Sequence, residues 1–247
     1  MINQILKIRL PDGREVAFVD WTDKPVFSTI EILHGTAVQE MNLFTYTVGD
    51  PVPAFAPVAI VGQRNASELD TNMQAPGSMA STEEALIYAI KPEVFRRNVA
   101  DEAEPDFAAP AALTAAGHDP IAPPQMLSVL NMRTTLNLEI SEKLYAEAGF
   151  GYFNAGFGPV GNGGPLAAGQ DELGNNGVAS QDAVRSFVIP HHMGGQEKFR
   201  VFLRFVPDGT GNGIELGLRS VDGDAIDVTR YARIRVYLGG LYKRPVS

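Results

Sequence analysis

Strict alternation of apolar and polar residues, repeated in several short segments, constrains this chain more than any other feature. Residues 231–238 are the clearest case: Ala232, Ile234, Val236 and Leu238 are apolar, while Arg233 and Arg235 fall on the opposite parity. A period of two is the mark of a strand with one face on a core and the other on solvent or a partner. The same rhythm runs through residues 136–140, 214–219 and 199–205, where Phe199, Val201, Leu203 and Phe205 share one parity. The 25 glycines and 17 prolines favour many turns and leave little room for long helices.

The first element expected is a hairpin. Leu6, Ile8 and Leu10 alternate with Lys7 and Arg9, Pro11-Asp12-Gly13 turns the chain, and residues 15–20 return. Further strands are expected at 27–33, 42–48, 58–61, 86–91, 133–140 and 231–238. Residues 98–125 carry Pro105, Pro110, Pro120, Pro123 and Pro124 among alanines and acids, which forbids a long helix and reads as a connection between two halves. The fold class is therefore all-β. The expected architecture is two jelly-roll-like antiparallel β-sandwiches, residues 1–122 with the acidic connection and residues 123–247. The alternative is one jelly roll with large loop insertions, and the halves are short for two complete eight-stranded rolls.

The net charge of −9 disfavours general or sequence-specific nucleic-acid binding, which needs a basic surface. Charge is unevenly spread, however. Asp101, Glu102, Glu104, Asp106 and Asp119 occupy a stretch without lysine or arginine, whereas Arg230, Arg233, Arg235, Lys243 and Arg244 dominate the C-terminus. Arg233, Arg235, Lys243 and Arg244 are accordingly candidate interface residues, toward another copy or an anionic surface. Without cysteine there are neither disulfides nor thiolate metal sites. The N-terminus does not read as a signal peptide, and no stretch reaches the length of a membrane-spanning helix, so synthesis in the cytoplasm is expected.

Residues 149–177 hold ten of the glycines together with Phe150, Tyr152, Phe153 and Phe157. A long loop with large rings reads as an interfacial surface, and these four aromatics join the candidate interface set. Gly156, Gly158 and Gly161 formally match a dinucleotide fingerprint, but Gly163, Gly164 and Pro165 follow where a helix must begin. His191 and His192 are adjacent, which in an extended chain points their rings apart. Asp208 and Asp222 sit in Asp-Gly turn sequences and, with Asp224 and Asp227, form the one candidate metal set, a structural Ca²⁺ site. No other cofactor is expected. Ser78 lacks the second glycine of a nucleophile elbow, so no catalytic residue is assigned and an enzyme is not expected.

This plan resembles the major capsid proteins of tailless icosahedral bacteriophages, in particular the small double jelly-roll type that encloses an internal membrane. Two β-rich halves of similar length, a Pro/Ala-rich connection and large loops carry the resemblance. So do residues 71–77 leading into the strand at 86–90, and residues 136–161. The resemblance implies a virion structural protein without enzymatic activity, assembled as pseudo-hexagonal homotrimers in an icosahedral capsid. It implies vertex or penton proteins as partners and an internal lipid membrane near the basic C-terminus. The rival expectations are a spike or vertex protein, and a carbohydrate-binding or carbohydrate-active β-sandwich.

Overall fold

The alternating segments pair into two facing antiparallel sheets. The computed structural model describes residues 7–9, 13–17, 21–33, 39–52, 54–55, 65–98, 130–153, 160–161, 174–175, 186–206 and 230–243. Strands in chain order are β1 (Lys7–Arg9), β2 (Glu15–Ala17), β3 (Trp21–Asp23), β4 (Val26–Leu33), β5 (Glu40–Leu43), β6 (Ala54–Phe55) and β7 (Ala85–Asn98). They continue with β8 (Thr134–Ile140), β9 (Lys143–Gly149), β10 (Val160–Gly161), β11 (Gly174–Asn175), β12 (Ser186–Met193), β13 (Phe199–Phe205) and β14 (Arg230–Lys243). The hairpin expected at the N-terminus is β1 against β2, with Lys7 opposite Ala17.

The larger sheet runs β12-β7-β14-β4-β6, with β3 also on β14, and the smaller runs β5-β13-β8-β9. All pairings are antiparallel except the short parallel contact of β4 with β6. Alternation fixes which residues meet between the sheets. Ile30, Ile32, Ile87, Ile90, Ile234, Val236 and Leu238 project from the larger sheet, and Met41, Leu43, Leu136, Leu138, Val201 and Leu203 from the smaller, into one continuous core. Trp21 is buried separately, with Leu86, Tyr88 and Leu241 around it.

The expected boundary at 122/123 does not separate two sandwiches. β4 and β7 of the first half share a sheet with β12 and β14 of the second, and β5 pairs with β13. The reason is long-range pairing: β14, the longest C-terminal strand, inserts between β4 and β7, with Ile234 opposite Ile30 on one side and Val94 on the other. Periodicity reports the face of a strand and is silent about its partner.

Registers also sort the connections. Leu33 lies opposite Tyr231 and Asn98 opposite Arg230. Thr134 lies opposite Phe205, and Thr135 opposite Gly149. The ends of β4, β7, β9 and β13 and the starts of β5, β8, β12 and β14 therefore lie at one end of the sandwich, and the ends of β5, β8 and β12 with the starts of β7, β9 and β13 at the other.

Local detail explains two departures from expectation. β7 runs past Pro92, where the sequence reading stopped, because the register of β12 covers only Ala85–Ala89 and Pro92 lies beyond it. β14 shifts register between Gly239 and Gly240, where a Cβ on Gly240 would lie 2.3 Å from the Leu86 carbonyl oxygen, so the close approach requires glycine.

Candidate interaction surfaces

On the outer face of the larger sheet, alternation places Arg233 directly opposite Glu31. Its Nη2 and Nε donate to Glu31 Oε1 at 2.9 and 3.2 Å. Glu31 is only 3% exposed and Arg233 15%, so the pair is charge-assisted and largely removed from water. Two residues on, Arg235 donates to Thr29 Oγ1 at 3.3 Å, to the Tyr237 hydroxyl at 3.2 Å and to the Leu69 carbonyl at 2.5 Å. Its guanidinium also lies over the Phe27 ring at 5.4 Å. Both arginines, expected to face a partner, are thus bound within the chain. The clue was present in sequence: Thr29 and Glu31 share a polar parity on β4, as Arg233 and Arg235 do on β14.

Lys243 is also held internally. Its Nζ donates to Glu84 Oε1 at 3.1 Å, while Glu84 Oε2 lies 3.3 Å from His192 Nε2 and 3.6 Å from Arg14 Nη2. Burial by itself would raise the Glu84 carboxyl. Hydrogen bonds from Lys243 and His192, with the charges of Lys243 and Arg14, outweigh it and hold Glu84 below the ordinary carboxylate value. One carboxylate so ties together the ends of β14 and β12, the start of β7 and the segment before β2.

The two histidines do point apart. While His192 meets Glu84, the His191 ring packs between Tyr145 of β9 at 4.8 Å and Phe187 at 4.7 Å, and burial there lowers its basicity. This junction joins β9 and β12, the edge strands of the two sheets, along one side of the sandwich. Between Ser186 and His191 the β12 register slips, and residues 187–190 bulge away from β7. Val188 is 99% exposed and Ile189 67%. The sequence reading missed this surface, although Phe187-Val188-Ile189-Pro190 was legible as an apolar run that breaks the alternation. It missed equally the outer face of β13, where Arg200 and Arg204 lie over the Phe202 ring at 4.4 and 5.4 Å and both engage Glu40.

The aromatic candidates separate. Phe150 and Phe153 are buried in the main core, flanking a short 3-10 turn (Phe150–Tyr152). Tyr152 is exposed and packs edge-on against Phe153 at 5.3 Å. Phe157, Arg244, Asp208, Asp222, Asp224 and Asp227 lie outside the described residues. Among the described residues, no group of three or more histidines and acids stands close enough to hold a metal ion. The assembled clusters are ion pairs and packed rings that fasten strands, together with one exposed apolar edge. No protein-family model, curated protein or solved structure matches the chain.

Proposed function

We propose that this chain is a single jelly roll that serves as a shell subunit, the major capsid protein of an icosahedral, tailless bacteriophage virion. The observation that carries the reading is the order of pairing among the eight principal strands. First pairs with last, β4 with β14; then β5 with β13, β7 with β12, and β8 with β9. That is a ribbon of nested hairpins. β14 against β7 and β13 against β8 then roll the ribbon into two four-stranded layers, the wrapping that defines a jelly roll. This reading takes up the single roll expected as the alternative, in place of the two rolls that the resemblance implies.

The mechanism is mechanical. Two hydrogen-bonded layers around an apolar core make a stiff slab, and ion pairs such as Arg233–Glu31 fix its outer face. The sides of the slab meet neighbours, as homotrimers within the shell and beside vertex proteins. Symmetric association multiplies a modest contact over many copies.

Sedimentation velocity and negative-stain imaging of the expressed chain test this. Trimers and larger closed or ring-shaped species that grow with concentration are expected. A chain that stays single at every concentration, or that binds glycans on an array with no assembly, overturns it.

A further inference from the structure

We infer that β9 is a two-position strand, with a bulged register on β8 and a straight one that differs by one residue near the turn, and that contacts with β12 and the segment after it select the bulged form. The movement is internal to the fold and does not depend on assembly.

One residue of slack lies in the β8–β9 ladder. Thr135–Gly149 through Leu138–Ala146 share one register, then Glu139–Leu144 and Ile140–Lys143 follow another, and Tyr145 is skipped between them. Continued unbroken, the first register sets Tyr145 opposite Glu139 and Leu144 opposite Ile140, with residues 141–143 as a three-residue turn. The sequence of β9 is written for that straight form. Leu144, Ala146 and Ala148 share one parity, and Lys143, Tyr145 and Glu147 the other. A strand without a bulge puts all three apolar side chains on the core face. In the bulged form only Ala146 and Ala148 pack there, while Leu144 lies opposite Glu139 on the outer face, 47% exposed. The turn is strained as well. Ser141 and Glu142 hold φ of 49° and 65°, left-handed values that a two-residue turn asks of both positions and that suit asparagine or glycine. A three-residue turn asks this of one residue only.

The bulged form is held largely from outside the hairpin. The Tyr145 ring packs edge-on against His191 of β12 at 4.8 Å, and Lys143 Nζ lies over the same ring at 5.3 Å. At the turn, the Ser141 N–H donates to the Lys198 carbonyl at 3.0 Å and the Ser141 hydroxyl to Glu197 Oε1 at 2.7 Å. Glu197 Oε2 in turn accepts from the Gly194 N–H at 2.8 Å. Apart from Lys143, every anchor belongs to β12 or to residues 194–198 that follow it. In the straight register Tyr145 turns outward beside Glu139, Leu144 enters the core face beside Ile140, and His191 loses its partner on β9. The position of β9 and the packing of β12 are therefore one equilibrium. The edge of the smaller sheet changes with it, because a bulge resists the addition of a strand and a regular edge does not.

The chain has no cysteine, so introduced pairs report the register directly. Glu139→Cys/Leu144→Cys stands opposed in the bulged form alone, and Thr135→Cys/Gly149→Cys is opposed in both forms and serves as the control. Bridge formation is measured on the full chain in a glutathione redox buffer, with and without His191→Ala. The 139/144 bridge should form in the chain that keeps His191. In His191→Ala it should weaken by about threefold or more, the share of one aromatic contact, while the 135/149 bridge persists. Glu139→Cys/Tyr145→Cys, opposed only in the straight form and lacking the ring that holds the bulge, should bridge readily. A 139/144 bridge that is absent or indifferent to His191→Ala overturns the two-position strand, as does a 139/145 pair that never bridges. Loss of the 139/144 and 135/149 bridges together also overturns it, since β9 would then be leaving the sheet and not shifting along it.

Discussion

The two sides of the sandwich are finished in opposite ways. On the β4 side the chain closes its own edge. β6 pairs with Glu31 and Ile32, Thr71 bridges to Ser28, and the Asn72 side chain accepts from the Phe27 N–H at 2.9 Å and donates to the Pro25 carbonyl at 2.8 Å. The Tyr46 hydroxyl donates to the Thr29 carbonyl at 2.5 Å and accepts from the Thr29 N–H at 3.1 Å. The closing segment is itself stiffened by Asp50 on Thr47 and Asp70 on Ser67, turn-forming side chains that satisfy local N–H groups. The β9/β12 side has bulges, exposed valine and isoleucine, and no such cover among the described residues. An edge satisfied within the chain needs nothing from a neighbour. An edge that bulges and carries a proline resists extension of its sheet by a neighbouring strand.

The largest effect should come from breaking the closed side where it leaves the core. Phe44 is fully buried, edge-on to Phe199 at 5.5 Å, and holds a φ of +60°, rare for so bulky a residue. Its N–H donates to Ser28 Oγ at 2.9 Å and its carbonyl accepts from the Gly77 N–H at 2.6 Å, so packing and hydrogen bonds hold the backbone there together. Phe44→Ala should cost about 3–5 kcal/mol, read as a fall in thermal midpoint of roughly 10 °C. A fall of only a degree or two would mean that the closing segment is not anchored through this ring.

A smaller loss is expected from Tyr46→Phe, which keeps the ring and removes the hydroxyl shared by the backbone N–H and C=O of Thr29. Thr29 is fully buried, so water cannot take over the lost bonds. A cost of about 1–3 kcal/mol follows, with faster hydrogen exchange at the Thr29 amide than at the Ile30 amide. Equal exchange at both positions would show that the edge opens as a unit and that Tyr46 does not latch it.

The sequence made the faces of the strands legible and concealed their partners. Residues 136–140, 199–205 and 231–238 are strands whose apolar parity is the parity that builds the core, and Ile30 and Ile32 of residues 27–33 join them. The segments expected at 58–61 and 214–219 lie outside the described residues. Pairing of β4 with β14, about two hundred residues apart, leaves no mark in either segment alone, so two local halves looked natural where the sheets interleave. The same gap misplaced the arginines. A polar parity facing water and one facing a matched polar strand read alike until the strands are aligned, and only then does Glu31 meet Arg233. Phe150 and Phe153 misled for a related reason: glycine-rich surroundings suggested an exposed loop, but both rings are buried in the main core. The bulge of β12 was the readable part that went unread, since an unbroken apolar run ending in proline already departs from a two-residue rhythm.

The smallest effect is expected at the base of the open side, where Glu84 ties β12 to the ends of β7 and β14 through His192 and Lys243. Because this carboxyl titrates below its ordinary value of 4.5, it contributes stability above that value, and the contribution is lost as pH falls through the depressed folded value. Glu84→Gln should therefore lower the thermal midpoint at neutral pH, by about 1 kcal/mol or less for a cluster still partly in contact with water. The difference from wild type should shrink toward zero as acid protonates Glu84 in both the folded and unfolded chain. Hydrogen exchange should show the loss at His192 and Met193 of β12 and spare Ile30 and Ile32 of β4, because the two sides are fastened by different groups. Exchange that rises equally on both sides would mean that the sandwich answers to Glu84 as one body. Independent finishing of the two edges would then be lost.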